Sequence, residues 1–404
     1  MLKKMILEAV AKLLRPRKSM ILTPVLRASK LARAAQTRPC PNGQARLHGD
    51  NWRQKSDFMG RMSFAIASLF SAILLNCRSA SANQIEKPLN QQKLVVASTR
   101  IYLEDFPNAW NPSIIQVEDG FLMSFRYSPD QDYQPWLSYI GIVLLDDAFQ
   151  PISKPELLAP RLKNSKTPSQ AEDARIFRYQ DKIFLIYNDN VDIVYPGPSE
   201  RRDMFIAELL YANDHFTLSP PLKLVHEGKY NSQLWQKNWV PFEKDGALLL
   251  SYSINPHEVL FANLKTGVCY PCYETSPPIR WNFGTLRGSS PPLLVDGEYL
   301  AFFHSGMITS SPSSWGIDFW HYFMGAYTFS AEPPFEITHM TPVPIIGEGF
   351  YTPSNCSKRV IFPGGFVVSD PFIYVAYGKD DREIWIATLD KAVLMNSMIP
   401  IIHK

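Results

Sequence analysis

Cysteine and histidine are scarce here, with five and eight residues in a chain of 404. Cys40 and Cys77 fall in the first 82 residues, which leaves Cys269, Cys272 and Cys356. An odd number of thiols excludes a fully paired disulfide framework within one chain. Cys269-Tyr-Pro-Cys272 has the spacing of half a zinc site or a redox pair, yet no second pair or histidine cluster completes a tetrahedron. We expect ordinary thiols or one local disulfide there, with no metal and no resident cofactor. Long apolar runs are also missing. The uncharged stretch Ser63–Leu75 has 13 residues, short of the ~20 that a membrane-spanning helix needs. Its length suits the core of a secretory signal, with Arg61 before it and Ala80-Ser81-Ala82 after it as a cleavage site. Residues 62–82 are therefore expected to be a signal peptide. Residues 1–61 would be a basic leader, or lie upstream of the true start. The mature chain, 83–404, would be secreted or periplasmic, with no integral membrane span.

A basic excess is missing from the mature chain as well. The net charge of +3 hides a leader with 14 Lys/Arg against 3 Asp/Glu in residues 1–61, followed by 27 against 35 in the rest. The folded part is acidic, so the charge gives no support for a nucleic-acid partner. A convincing 3.6-residue amphipathic period is absent too, which argues against a helical domain.

What is present is apolar and aromatic: 46% apolar residues, with 24 Phe, 18 Tyr and 9 Trp, enough for a sizeable core. From about residue 98 one unit recurs. It consists of an apolar strand, an acidic or glycine turn, and a longer aromatic strand. The copies are Ser113–Tyr127, Ala174–Asn188, Trp239–Ser253, Pro291–His304 and Val360–Gly378. Each combines β-branched and aromatic residues with hairpin turn chemistry. A further strand follows each copy, at Tyr139–Leu145, Met204–Leu210, Val259–Leu264, Tyr322–Phe329 and Ile384–Leu389. Turns near residues 119, 181, 245, 296 and 370 space the copies by 51 to 74 residues. Five such units predict an all-β chain folded as a single five-bladed β-propeller, with long loops between strands. A pair of β-sandwiches would not need one unit recurring five times.

Several residues near the strand starts could carry chemistry. Asn111-Pro112 opens the first copy and Arg126 ends it, pointing into a cavity or pairing with an acid. Glu172-Asp173-Ala174-Arg175 opens the second. Alternation places Asp173 and Arg175 on one face and Glu172 on the other. That pair is either a salt bridge pinning the strand or the carboxyl of an acid catalyst held in check by its neighbour. Lys237 and His257 bracket the third hairpin and together would form an anion site; otherwise they are a solvated Lys and an edge His. Arg287 and His304 bracket the fourth, where either would face the channel mouth. Trp110, Trp235, Trp239 and Trp281 lie near these motifs, as sugar platforms or as packing.

Taken in order, the motifs resemble glycoside hydrolase family 130, the mannoside phosphorylases and mannosidases, and the related β-1,2-mannosyltransferase/phosphorylases. The resemblance runs through E-D-A-R at 172–175, K-N-W-x-P-F at 237–242, the His257 region and R-G-S-S-P-P at 287–292. It continues through F-F-H at 302–304, V-I-F-P-G-G at 360–365 and Y-G-K-D-D at 377–381. It covers roughly residues 98–390. It implies a five-bladed propeller that acts on manno-oligosaccharides or mannosylated glycans with inversion. Asp173 would be the catalytic acid, its proton reaching the glycosidic oxygen through a hydroxyl of the bound mannose. Inorganic phosphate, as co-substrate, would sit on Lys237 and His257. Sugar contacts would come from Asn111, Arg126, Arg175, Asn238, Arg287, His304 and Asp380. Two departures stand out. Ala174 replaces a Pro, and Glu258 follows His257 where the phosphorylases tend to carry Arg. Glu258 therefore opens an alternative, a secreted inverting mannosidase in which it activates water opposite Asp173. A non-catalytic glycan-binding propeller is the third reading.

Overall fold

The computed structural model describes residues 93–129, 137–158, 160, 169–190, 202–229, 235–354 and 356–403. The expected leader and signal peptide lie outside the described residues. Among the described residues strands predominate, in line with the all-β expectation, and the one α-helix, Lys391–Ser397, is capped by the Asp390 carboxylate accepting from Val393 N–H.

The five hairpins read from the sequence are all formed, and each heads a group of antiparallel strands. The first group is Ala109–Val117, Gly120–Tyr127, Tyr139–Leu145 and Glu156–Leu158, paired in that order. The second is Glu172–Tyr179, Lys182–Asp189, Asp203–Ala212 and Leu222–His226. Val240–Lys244, Ala247–Ile254, His257–Ala262 and Val268–Thr275 make the third. In the fourth, two short strands, Thr285–Gly288 and Leu293–Val295, share the first position against Glu298–Thr309, followed by Phe319–Ser330 and Ile337–Met340. The fifth is Lys358–Ser369, Phe372–Lys379 and Glu383–Asp390, with Val95–Ile101 from the start of the described chain as its outer strand.

Apolar residues on both faces of these strands explain why the sequence shows continuous runs instead of clean alternation. In Tyr299–Phe303, Leu300 and Phe302 pack toward the fifth group while Tyr299, Ala301 and Phe303 pack toward the third. Five apolar clusters result, each shared by two groups: first with second, second with third, third with fourth, fourth with fifth, and fifth with first. Burial of this kind, at about 25 cal/mol per Å² of apolar surface, supplies the main drive for folding. Close fits depend on single glycines. Phe125 and Phe303 lie across Gly141 and Gly325, where an added Cβ would come within 2.1 and 2.3 Å of a ring carbon.

His257 sits in one of these clusters, beside the Tyr327 and Phe329 rings, with Nδ1 2.8 Å from Phe335 O and Nε2 3.1 Å from Ser251 Oγ. Burial pushes its pKa down to about 4. A depressed histidine pKa means that the unfolded chain binds the proton more readily. Stability should therefore fall as pH drops from 6.5 toward about 4, with a slope of about 1.4 kcal/mol per unit from this group. Urea midpoints between pH 7 and pH 4 would measure the slope, and His257→Gln is expected to flatten it. An unchanged slope in the variant would show that the titration belongs elsewhere.

Candidate active site

The first strands of three groups begin alike. Asn111, Asp173 and Asn238 have φ of 48°, 53° and 66°. The left-handed region is one that Asn and Asp enter more readily than other non-glycine residues. In the first two groups the register slips at this residue, between Trp110 and Ser113 and between Glu172 and Arg175. Such a bulge re-aims a side chain out of the pleat. The alternation expected at Glu172-Asp173 is thereby broken, and both carboxylates face one cavity instead of opposite faces.

That cavity has a volume of about 390 Å³, within the range of small-molecule sites. The first group contributes Trp110, Asn111, Arg126 and Ser128, and the second Glu172, Asp173 and Arg202. Trp235, Lys237 and Asn238 lead into the third. The fourth supplies Arg287, His304 and Tyr322, and the fifth Lys358, Val360, Phe362 and Asp381. Residues from 110 to 381 thus meet at one point.

Asp173 is held by a defined set of partners. Asn111 Nδ2 donates to its Oδ1 at 2.8 Å, and Arg126 NH1 stands 3.5 Å from the same oxygen. Burial opposes its charge, but Arg126 and Arg175, the Asn111 amide and Lys237 outweigh that, so its pKa lies below the ordinary carboxylate value. Glu172 is buried among cations, with Oε1 2.9 Å from Arg126 NH2 and 3.0 Å from Arg202 NH2, and Oε2 3.7 Å from Lys237 Nζ. Burial likewise works against the Arg126 charge, and Glu172, Asp173 and Asp381 together raise its pKa all the same. His304 is kept neutral by burial and by Arg287 and Arg175; its Nδ1 lies 2.5 Å from Ser289 Oγ. Gly378 is a required glycine, because a Cβ there would lie 2.0 Å from Asn111 Oδ1 and dislodge the amide that holds Asp173.

Of the eleven residues given catalytic, sugar-binding or phosphate-binding roles above, seven line the cavity: Asn111, Arg126, Asp173, Lys237, Asn238, Arg287 and His304. Four do not. Arg175 is buried behind it, donating to Ser289 O, Asp173 O and Asn238 Oδ1 at 2.5, 2.9 and 3.1 Å. Burial lowers its pKa to about 10. It is a positioning residue that ties together the two left-handed turns. His257 is enclosed in the aromatic cluster described above, two strands out from Val240, so it is no phosphate ligand. Glu258 is turned toward the second group, where His226 Nε2 and Lys229 Nζ lie 2.9 and 2.5 Å from its oxygens. It does not line the cavity, and the Asp173/Glu258 hydrolytic pair is thereby lost. Asp380 is also displaced from its expected role: its oxygens accept from Val360 N–H at 2.8 Å and Ser354 Oγ at 3.1 Å. Its neighbour Asp381 lines the cavity instead, paired with Lys358. Both Asp380 and Asp381 have φ of 53°, so strand alternation gave no guide to which one faces inward.

Sequence reasoning gives no role to Lys358, Tyr322 or Phe362, although Phe362 lies within V-I-F-P-G-G; Arg202 belongs to Arg201-Arg202-Asp203, which reads either as an addition to the Lys237 anion site or as loop cover, and it lines the cavity. The Cys269-x-x-Cys272 pair is two free thiols on one strand, and burial pushes both up to about 12.

No protein-family model and no curated sequence matches the chain. Solved structures do. A β-1,2-mannobiose phosphorylase from Listeria innocua, solved with β-1,2-mannobiose, superposes with a TM-score of 0.50 at 14% identity, covering 77% of this chain and 94% of that one. MPT-4, a mannose phosphorylase from Leishmania mexicana solved with phosphate, gives 0.50 at 11% identity over 76% and 92%. The fold is that of the mannoside phosphorylases. A third structure, described with glycoside hydrolases of family 130 that target β-1,2-mannosidic linkages in Candida mannan, reaches 0.52 at 13% identity over 75% and 96%. At such identities the mannoside-phosphorylase likeness is one of fold, and it agrees with the resemblance carried by the motifs.

Proposed function

We propose that the chain is a carbohydrate-active enzyme that cleaves or forms β-mannosidic linkages with inversion, by phosphorolysis or mannosyl transfer. We further propose that its five strand groups, with five clusters joining them in a closed cycle, are the blades of a five-bladed propeller. The observation that carries the functional reading is the charge balance around Asp173. Arg126, Arg202, Lys237, Arg287 and Lys358 line the cavity against Glu172, Asp173 and Asp381, two positive charges in excess. A site of that kind favours an anionic co-substrate. Phosphate, or the diphosphate of a sugar nucleotide, is the chemistry that fits.

In this reading phosphate lies against Lys237 and Arg287 and attacks C1 from the face opposite the leaving sugar. The C1–O bond breaks as the C1–O–P bond forms, and the leaving oxygen takes a proton from Asp173 by way of a mannose hydroxyl. The lowered pKa of Asp173 fits this order of events. Bound phosphate offsets the cations that hold Asp173 ionised, so the carboxyl takes up its proton only when the co-substrate is present. The aromatic lining, Trp110, Trp235, Tyr322 and Phe362, offers faces for sugar rings. Segment 62–82 is proposed as the export signal.

Incubating the protein with β-linked mannobiose, with and without phosphate, tests the reading. Mannose 1-phosphate formed only with phosphate supports it. Free mannose at equal rate in both buffers would move the assignment to a hydrolase, with a base other than Glu258. Tight sugar binding with no product under any donor would leave a glycan-binding protein. Lys237→Met and Arg287→Met are each expected to raise the KM for phosphate about tenfold or more, since a hydrogen bond to a charged group contributes about 1.5–3 kcal/mol.

A further inference from the structure

The long hairpin of the fourth group, Glu298–Thr309 and Phe319–Ser330, projects beyond the cavity and carries exposed apolar side chains near its tip. Trp320 is 43% exposed and Trp315 62%. Their faces differ. Trp320 pairs with Lys358, and Tyr322 with Val360, in parallel register. Directly paired residues stand on the same face of a sheet. Tyr322, Lys358 and Val360 all line the cavity, so Trp320 stands on the cavity's own wall, one rung further out. Trp315 instead packs with Phe319 on the Arg359 guanidinium, 5.5 and 4.8 Å from their ring centres, behind that wall.

The rings form a continuous series from inside to outside. Phe362 and His304 are 4.7 Å apart, His304 and Tyr322 6.1 Å, and Tyr322 and Trp320 5.8 Å. Across the hairpin, Tyr322 faces Gly306, where a Cβ would lie 3.2 Å from its ring. The residue opposite Tyr322 on this hairpin thus places no side chain over its ring. The neighbouring Lys358–Asp381 pair supplies the polar groups that sugar hydroxyls need and that a lipid surface would leave unpaired.

We propose that Tyr322 and Trp320 form a carbohydrate-binding rail that holds sugar units beyond those in the cavity and favours longer β-linked manno-oligosaccharides. The rail rests on the mannoside reading of the cavity. Calorimetry with the whole protein tests it, using β-linked mannobiose and mannopentaose as probes. Trp320→Ala is expected to weaken mannopentaose binding about tenfold more than mannobiose binding, the loss of one ring stacked on a sugar. Trp320→Phe should recover most of that, while Trp315→Ala, behind the wall, should leave both affinities unchanged. If Trp320→Ala does not fold, Trp320→Gln carries the same contrast. Equal losses for the two sugars, or a difference under twofold, would overturn the rail while leaving the cavity assignment standing. Absence of binding of either sugar to the wild-type chain would overturn both.

Discussion

Replacing Asp173 by Asn is expected to slow phosphorolysis of a β-linked mannoside by about 10³-fold, the middle of the range for a lost general acid. Asn is the informative substitution because the backbone at 173 has φ 53°, a conformation that Asn accepts and most other residues resist. The new amide oxygen still accepts from Asn111 Nδ2, now at 2.8 Å from the carboxylate. Arg126 keeps its contact with Glu172 at 2.9 Å, so the cavity should hold its shape. Two readouts separate chemistry from structure. An aryl mannoside, whose leaving group needs no proton, should recover most of its rate in the variant. The acid limb of the stability profile should also change. A carboxylate whose folded pKa lies below 3.8 contributes stability that is present above that value and lost as pH falls through the folded pKa. Asp173→Asn removes that contribution. Turnover of mannobiose within tenfold of wild type would exclude Asp173 as the acid.

The largest effect on stability is expected from Glu172→Ala. Its carboxylate side chain is 4% exposed and neutralises Arg126, Arg202 and Lys237, whose side chains are 13%, 2% and 28% exposed. Removing one partner from a buried ionic cluster leaves the others uncompensated, which costs about 3–5 kcal/mol. Arg202 suffers most, because among the described residues its other side-chain hydrogen bonds go to neutral acceptors, Gln170 O at 3.1 Å and Asn188 Oδ1 at 3.3 Å. Urea unfolding followed by tryptophan fluorescence measures the loss. Glu172→Gln, which retains an acceptor but no charge, is expected to fall between wild type and Glu172→Ala. A loss below 1 kcal/mol for Glu172→Ala would mean that water reaches Arg202 and that the cluster is not sealed.

Much of the cavity was legible because its residues sit beside turns and strand starts with distinctive chemistry. Asn111, Asp173, Lys237, Asn238, Arg287 and His304 were all found in this way. The errors cluster where a strand's period of two was applied across irregular backbone. At Glu172-Asp173 a bulge turned two carboxylates to one side. At Asp380-Asp381 two successive left-handed residues exchanged the inward and outward roles. His257 and Glu258 failed for another reason: lying at the correct end of a hairpin says nothing about how many strands separate a residue from the centre. Lys358 had no signal of its own and Arg202 only the open one of Arg201-Arg202-Asp203, since basic residues at a strand start read as solvated until their partners are known.

The sequence by itself determined the strand units, their number and their turns, because turn residues and apolar runs are local and each hairpin forms among near neighbours. It also placed Asp173 and its first basic companions at strand starts. Only the tertiary structure decided which charges share one cavity. Those side chains come from residues 110 to 381, and their energies depend on distances across strand groups that no local pattern encodes. A carboxylate such as Glu258, matched to His226 and Lys229 in another group, resembles a catalytic base in sequence and becomes a buried tie once the groups are packed.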